Sequence, residues 1–354
     1  MFEKLWALIA IPLGYVMKYC YILAHDVMNL PVAYLWALLF FTILTKILLF
    51  PLSINQQKQT AKMAALKPML DEIQKTYAKD PKRQQEETYR LQEEVGYNPM
   101  SGCLPLLIQF PILFGLVEVI YKPLTYMLQL PSELVTKLTE IVNTIPGAVS
   151  SNSRFIETNI IEQVKTNISA FSSVTSNPEY TEWIDKITNL DMSIGSMNLW
   201  DVPSIKQPSL VWLVVLFSIS TMVLSSFISM KNSGSADAQG ARQARTMMIS
   251  MALLFAVFSF SYPAGFSLYW GFSNLVVIGQ SFLLKKIINP EKLREKVMQE
   301  MKEKRKSAKK STMTTVKVKD PETGEIVEKT LSKSELEKLR LQKARELKDS
   351  PYDS

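Results

Sequence analysis

The chain has little of what enzymes and metalloproteins are built from. It contains one histidine and two cysteines in 354 residues. The cysteines, Cys20 and Cys103, lie in or beside apolar segments, so we expect no disulfide framework. The sequence also carries no Gly-rich phosphate loop, no clustered metal ligands and no nucleophile motif. We therefore expect a protein that is not an enzyme and uses no cofactor.

Charge is also missing from long stretches of the chain. From Thr246 to Leu284 there is no charged residue, and this run is too long for one membrane span of about 20 residues. It breaks at "SYPAG", 261–265, where Pro263 cannot continue a helix. We predict an all-α polytopic membrane protein with five spans. They are 32–52, 103–121, 209–230, 246–262 and 266–286.

The N-terminal segment 1–31 has a short apolar stretch, Leu5–Val16, interrupted by a proline and a glycine. No small-residue cleavage site follows it. We interpret this segment as an amphipathic helix in the membrane interface, with Lys18 and His25 available to water. A cleaved leader is the alternative.

Basic residues set the expected orientation. Segment 53–102 carries eight lysines and arginines, the short loop 231–245 carries three, and the tail from Lys285 onward carries twenty. The hairpin 261–265 carries none, and residues 1–31 carry two. This alternation predicts an N-terminus outside and a C-terminus in the cytosol.

Three segments lie outside the predicted spans and are long enough to fold. Residues 53–102 read as a cytosolic helical hairpin, with Pro68 suited to the first turn of a new helix. Residues 122–208 are predicted to form a long extracytoplasmic loop that folds as a small helical cap. We expect replacement of 130–200 by a short linker to leave the protein functional if the spans still assemble. The tail, 287–354, is basic and contains a turn or hairpin, so anionic lipid and RNA are both reasonable partners. Nothing in it predicts sequence-specific DNA binding.

Polar side chains inside the spans are the candidate functional residues. Lys46 lies within the apolar run "LLFFTILTKILLFPL", where a charge costs about 3 kcal/mol. We expect it to line a polar groove; the alternative is that its long stem carries the ammonium to the cytosolic edge. The residues expected to share this groove are Thr42, Gln109, Ser218, Thr221, Ser225, Trp270 and Asn274.

Three motifs in order resemble the YidC/Oxa/Alb membrane protein insertases. They are "FTILTKILLFPL" at 41–52, "GYNPMSGCLPLLIQFPILFGL" at 96–116 and "SYPAGFSLYWGFSNLVVIGQ" at 261–280. The resemblance is to the compact form found in Gram-positive bacteria. It implies a multi-pass protein of the bacterial cytoplasmic membrane that inserts and helps fold nascent membrane proteins, alone or with the Sec translocon.

The resemblance also implies roles for individual residues. The family groove is open to the cytosol and the lipid, and a basic residue of the first span, usually arginine, attracts acidic segments of the client. Lys46 occupies that position and keeps the charge without the planar guanidinium fork. Gln109, Trp270 and Asn274 fall on groove positions. The loop 122–208 is longer than the family pattern. The basic tail then suggests a ribosome as a partner.

Two other functions are compatible with the composition. A transporter or channel for a small anion would also place a lysine in a span, although the five unequal segments show no internal repeat. The third hypothesis is a chaperone subunit of the translocon without insertion activity of its own. Ion flux in liposomes without a nascent chain would indicate a transporter. Depleting the protein and following the insertion of small single- and double-span clients would separate an insertase from a chaperone subunit.

Overall fold

Helices dominate the fold. The computed structural model describes residues 2–96, 104–148, 153–232, 238–287, 290–311, 313–319, 326–332, 337–338 and 341. The chain divides into two units, one formed by Met1–Lys67 and Pro99–Asn289 and the other by Pro68–Asn98 and Pro290–Ser354.

The helices, in chain order, are α1 (Phe2–Ile22), α2 (Ala33–Leu48), α3 (Phe50–Thr76), α4 (Pro81–Glu94), α5 (Leu104–Tyr121), α6 (Ser132–Thr144), α7 (Ile156–Thr166), α8 (Ser172–Thr175), α9 (Thr181–Asn189), α10 (Val211–Asn232), α11 (Ala238–Ser259), α12 (Ala264–Ile287) and α13 (Pro290–Ser311). Two antiparallel hairpins pair β1 (Ser193–Ile194) with β2 (Met197–Asn198) and β3 (Met313–Lys319) with β4 (Ile326–Ser332). A π-helical turn, Leu124–Leu128, follows α5.

The first unit is built around α12. This helix packs against α10 along most of its length and also contacts α2, α5 and α11. Helix α1 packs on α2 and α5. The core where these helices meet includes Phe41, Leu116 and Tyr269, all fully buried. The shared position of α12 brings residues from widely separated spans together.

A glycine allows α1 to approach the chain beyond α5. A side chain at Gly14 would place its Cβ 2.2 Å from the backbone oxygen of Tyr126, a separation that no packed structure tolerates. Close by, the ammonium of Lys18 donates to the side-chain oxygen of Gln129 at 3.1 Å. Lys18 therefore has a protein partner as well as any access to water.

The first predicted span is not one straight helix. Helix α2 ends at Leu48, α3 begins at Phe50, and the two are bent by 59°. Pro51 explains the break, because its ring cannot donate a backbone hydrogen bond to the previous turn and is tolerated only near a helix start. The segment predicted as the span 32–52 therefore contains a bend between α2 and α3. Lys46 consequently lies in the last turn of α2.

Length and apolar composition alone qualify two of the described helices to cross a membrane, Ala7–Val27 and Val211–Met230. The bent pair Ala33–Leu48 and Phe50–Gln59 adds a third if it counts as one span. The described apolar parts of α5 and α11 are shorter. Helices long and apolar enough to cross a membrane are thus present, while the number five and the interfacial position of α1 stay predictions.

The short loop predicted at 231–245 is mostly helical. Helix α10 continues to Asn232 and α11 begins at Ala238, so both extend beyond the apolar segments that predicted them. Alanine, glutamine and arginine in 238–245 favour helix without being apolar, which a hydropathy criterion misses. The break predicted by Pro263 is confirmed, since α11 ends at Ser259 and α12 begins at Ala264.

The loop 122–208 is an ordered helical layer over its described part. Helices α6, α7 and α9 bury one apolar side each and belong to the same hydrophobic core as the bundle. Trp183 and Trp200 of this segment are partly buried and pack against the same core. The carboxylate of Glu157, almost fully buried, accepts from the backbone N–H and the hydroxyl of Thr125.

The second unit contains the end of α3, α4, α13 and the β3–β4 hairpin. Asp80 caps α4 by accepting from the backbone N–H of Arg83, and Pro81 occupies the first turn. Pro68 lies inside α3 and not at a helix start, because the helix continues through it at the loss of one hydrogen bond. Lys304 of α13 donates to the backbone oxygen of Glu94 at 3.1 Å. The hairpin predicted in the tail is confirmed as β3–β4.

Candidate functional site

Lys46 is held by an uncharged partner. Its ammonium donates to the side-chain oxygen of Gln109 on α5 at 3.1 Å, across two helices that are far apart in sequence. Ile43, Leu44, Ile47 and Leu48 on the same part of α2 are exposed. The amide therefore keeps the charged end of Lys46 on the bundle side of α2, while its apolar neighbours face outward.

Gln109 links Lys46 to a buried tyrosine. The Gln109 amide nitrogen donates to the hydroxyl of Tyr269 on α12 at 2.6 Å. Gln109 is 7% exposed and Tyr269 is 0% exposed, so water is largely excluded from this bond. The three side chains form one chain of hydrogen bonds through α2, α5 and α12. Tyr269 therefore helps to orient the amide that binds the ammonium.

Tyr269 was not among the residues expected from the sequence. It stands beside Trp270 in a charge-free run, and a buried tyrosine hydroxyl needs a hydrogen-bond partner. That requirement was the signal that could have identified it. Gln280 was also not foreseen, and its amide donates to the backbone oxygen of Lys46 at 3.4 Å. Both missed residues lie on α12.

Thr42 is buried but does not serve the ammonium. Its hydroxyl donates to the backbone oxygen of Leu38 at 2.7 Å, and Thr45 donates in turn to the backbone oxygen of Thr42 at 2.9 Å. Serine and threonine commonly satisfy themselves on their own helix in this way. Within the described residues no side-chain hydrogen bond joins Thr42 to Lys46, although both belong to α2.

A second polar cluster lies between α10 and α12. The Ser225 hydroxyl is 3.5 Å from the side-chain oxygen of Asn274, and it also donates to the backbone oxygen of Met222 at 3.0 Å. Thr221 donates to the backbone oxygen of Ser218 at 2.9 Å. The structure thus brings Ser225 of α10 to Asn274, whereas no hydrogen bond among the described residues connects Ser218, Thr221 or Ser225 to Lys46.

Several polar atoms of this second cluster have no hydrogen-bond partner within the described chain. They are the hydroxyl of Ser218, the indole nitrogen of Trp270 and the amide nitrogen of Asn274. Trp270 stacks on Phe255 of α11, with ring centroids 4.6 Å apart. Unsatisfied buried polar atoms are costly in an apolar setting, so each of these three would gain from a polar partner that enters the cluster.

Exposed apolar side chains surround these polar clusters. They occur on α2, α10, α11 and α12, and include Leu48, Leu213, Phe227, Val257 and Phe282. Soluble proteins rarely leave so many large apolar residues uncovered on neighbouring helices. The surface is suited to lipid, with the polar side chains turned inward. Among the described residues no group of three or more His, Cys, Asp and Glu is arranged to hold a metal ion.

The family model of the 60Kd inner membrane protein matches residues 24–292. A membrane protein insertase YidC of Clostridium perfringens is 26% identical over 285 residues, covering 80% of this chain and 90% of the relative. The inner membrane ALBINO3-like protein 2 of the Chlamydomonas reinhardtii chloroplast is 28% identical over 73% of this chain and 51% of the relative.

Other relatives are longer than this chain. A membrane protein insertase YidC of Chlamydia trachomatis is 26% identical over 74% of this chain, but the match spans only 27% of the relative. The matched region of the family model includes α2, α5, α10 and α12 and therefore both polar clusters. The chain belongs to the YidC/Oxa/Alb family of membrane protein insertases, whose model is the 60Kd inner membrane protein.

Proposed function

We propose that this protein inserts nascent membrane proteins and helps them fold, with Lys46 supplying a positive charge in a membrane-embedded groove. The observation that supports the proposal is the partner of Lys46. Its ammonium is bound to the neutral amide of Gln109, and no carboxylate of the described residues pairs with it. A neutral partner holds the side chain without cancelling its charge.

The energetics favour this use of the lysine. A charge in the apolar region costs about 3 kcal/mol, and an amide recovers only part of that. An acidic residue of an incoming segment would recover more, since opposite charges at about 4 Å attract by about 4 kcal/mol at an effective dielectric constant of about 20. The unsatisfied polar atoms of Ser218, Trp270 and Asn274 would in turn offer partners to a polar segment. Both effects lower the barrier to transfer without breaking a bond, so the mechanism needs no cofactor and no enzymatic step.

The proposed setting is the bacterial cytoplasmic membrane, with five spans, the N-terminus outside and the C-terminus in the cytosol. The distribution of lysines and arginines supports this orientation, because the basic segments 53–102 and 285–354 would then face the cytosol. Nascent membrane proteins are the proposed clients, with or without the Sec translocon. The basic tail would bind the ribosome or anionic lipid.

Substitution of Lys46 tests the proposal. Insertion is measured for two matched clients, one with acidic and one with neutral translocated residues. Lys46→Arg should support insertion of both clients, since the guanidinium keeps the charge and adds donors. Lys46→Ala should impair the acidic client, and Lys46→Glu should reduce its insertion by about tenfold or more, because attraction becomes repulsion.

Lys18 provides the matched control. It also donates to a glutamine side-chain oxygen at 3.1 Å, but on α1 and not in the groove. Lys18→Ala should affect the acidic and the neutral client equally. Full insertion of the acidic client by Lys46→Glu would show that the charge has no role and that Lys46 only extends to the membrane edge.

A further inference from the structure

The segment 122–208 is attached directly to the start of α12. The backbone N–H of Ala264 donates to the backbone oxygen of Asp201 at 2.8 Å, and that of Gly265 donates to the backbone oxygen of Leu199 at 2.8 Å. The first N–H groups of a helix have no partner within the helix and need one from outside. Here the segment supplies two of these partners, and Leu199 and Ala264 are both buried.

The attachment is tightly packed around Gly265. A Cβ at this position would lie 3.0 Å from the Cδ1 atom of Ile120 on α5 and 3.3 Å from the backbone oxygen of Leu199. The first atom can move with its side chain, but the second is backbone. A glycine at this point therefore lets α5, α12 and the segment meet closely.

A second attachment holds the same part of the segment to α1. The Tyr21 hydroxyl donates to the backbone oxygen of Asn189 at 3.1 Å and lies 3.4 Å from the backbone nitrogen of Asp191. Directly beyond, the backbone N–H of Leu199 donates to the backbone oxygen of Met192 at 3.0 Å. Tyr21 thereby fixes one side of the β1–β2 hairpin, whose other side presents Leu199 to α12.

We propose that the segment 122–208 positions α12, and that Tyr21 and Gly265 are positioning residues for the groove. Tyr269 follows Gly265 by about one helical turn, so a shift at the start of α12 moves the hydroxyl that fixes Gln109. Trp270 and Asn274 move with it. The importance of this effect for insertion rests on the proposed function, whereas the attachment itself does not. The proposal replaces the expectation that a linker in place of 130–200 leaves the activity intact.

The first test changes one glycine and uses another as its control. Gly265→Ala introduces a methyl group against the Leu199 oxygen, whereas Gly279→Ala, on the same helix, meets nothing within 4 Å. Hydrogen exchange of the full chain in lipid nanodiscs, without a client, reports on the amides at the start of α12. We expect Gly265→Ala to speed exchange there by about tenfold, the equivalent of one lost hydrogen bond, and Gly279→Ala to leave it unchanged.

The second test changes a residue of α1 and leaves Gly265 unchanged. Tyr21→Phe removes only the hydroxyl that binds Asn189 and Asp191, and Tyr19→Phe, at an exposed position of the same helix, is its control. We expect Tyr21→Phe to speed exchange at the start of α12 severalfold and Tyr19→Phe to have no effect. This variant keeps the proposal testable if Gly265→Ala fails to fold.

Crosslinking to a client then separates positioning from general destabilisation. A photoreactive residue is placed at Asn274 or at Lys46, and crosslinks to a stalled client are compared. We expect Gly265→Ala and Tyr21→Phe to lower the ratio of Asn274 to Lys46 crosslinks at least twofold, whereas a general loss of folded protein lowers both equally. Unchanged exchange in both variants, or an unchanged ratio, overturns the proposal. Absence of any client crosslink in the wild type would count against the insertase function alone.

Discussion

Removing the Tyr269 hydroxyl should destabilise the bundle by an amount that depends on Gln109. Tyr269→Phe deletes one buried hydrogen bond of 2.6 Å and leaves the Gln109 amide nitrogen with one partner fewer at a position that is 7% exposed. Losing a buried partner in this way costs about 1–2 kcal/mol of unfolding free energy. Gln109→Leu removes the same bond and also the acceptor for Lys46.

The double variant isolates the interaction between the two side chains. If Gln109 and Tyr269 are hydrogen-bonded as the geometry indicates, the losses of unfolding free energy in the two single variants add up to more than the loss in the double variant. The difference is the energy of that hydrogen bond. Hydrogen bonds between membrane helices give couplings of about 0.6 kcal/mol on average and about 1.7 kcal/mol at most. The short distance and complete burial of Tyr269 place the expected value near 1 kcal/mol or above.

Unfolding by SDS in mixed micelles provides the free energies for the wild type, both single variants and the double variant. Tyr15→Phe, at a more exposed tyrosine of α1, combined with Gln109→Leu is the control cycle and should be additive. A coupling between Gln109 and Tyr269 below about 0.3 kcal/mol, the error of additivity for independent sites, would refute the hydrogen-bond chain.

Two further predictions concern segments outside the spans. Burial raises the pKa of Glu157 above its ordinary value of 4.5. Between pH 4.5 and the raised pKa, the folded protein keeps a proton that the unfolded chain releases. The stability from this group is therefore fully present below about pH 4.5 and is lost as the pH rises through the raised pKa. In thermal unfolding, the wild type should therefore lose stability relative to Glu157→Gln as the pH rises. Parallel pH profiles of the two proteins would contradict this. The control is Glu162→Gln, because Glu162 is exposed on the same helix. Truncation after Lys286 removes most of the twenty basic residues of the tail and should reduce ribosome co-sedimentation at low salt, with the difference vanishing at high salt. Equal sedimentation of both forms would instead favour lipid as the partner of the tail.

The amino-acid sequence by itself determined the local features of this protein. The charge-free run with Pro263 predicted two helices and the break between them, and both are present. The turn residues of the tail predicted the β3–β4 hairpin. A charge in an apolar segment is costly, so Lys46 could be identified as a candidate functional residue without knowledge of its contacts. Each of these conclusions depends on residues adjacent in the chain, so no knowledge of packing was needed.

Only the tertiary structure decided which polar groups meet. Gln109 was expected near Lys46, but Tyr269 was not foreseen. The Thr42 hydroxyl bonds its own helix, and Ser225 of α10 lies near Asn274 and not near Lys46. No sequence pattern indicated that Leu199 contacts the start of α12. A membrane helix is apolar on nearly all sides, so its hydrophobic period does not reveal which side faces inward. The rotation of each helix is set by packing, by close contacts such as that at Gly265, and by hydrogen bonds between residues far apart in the chain.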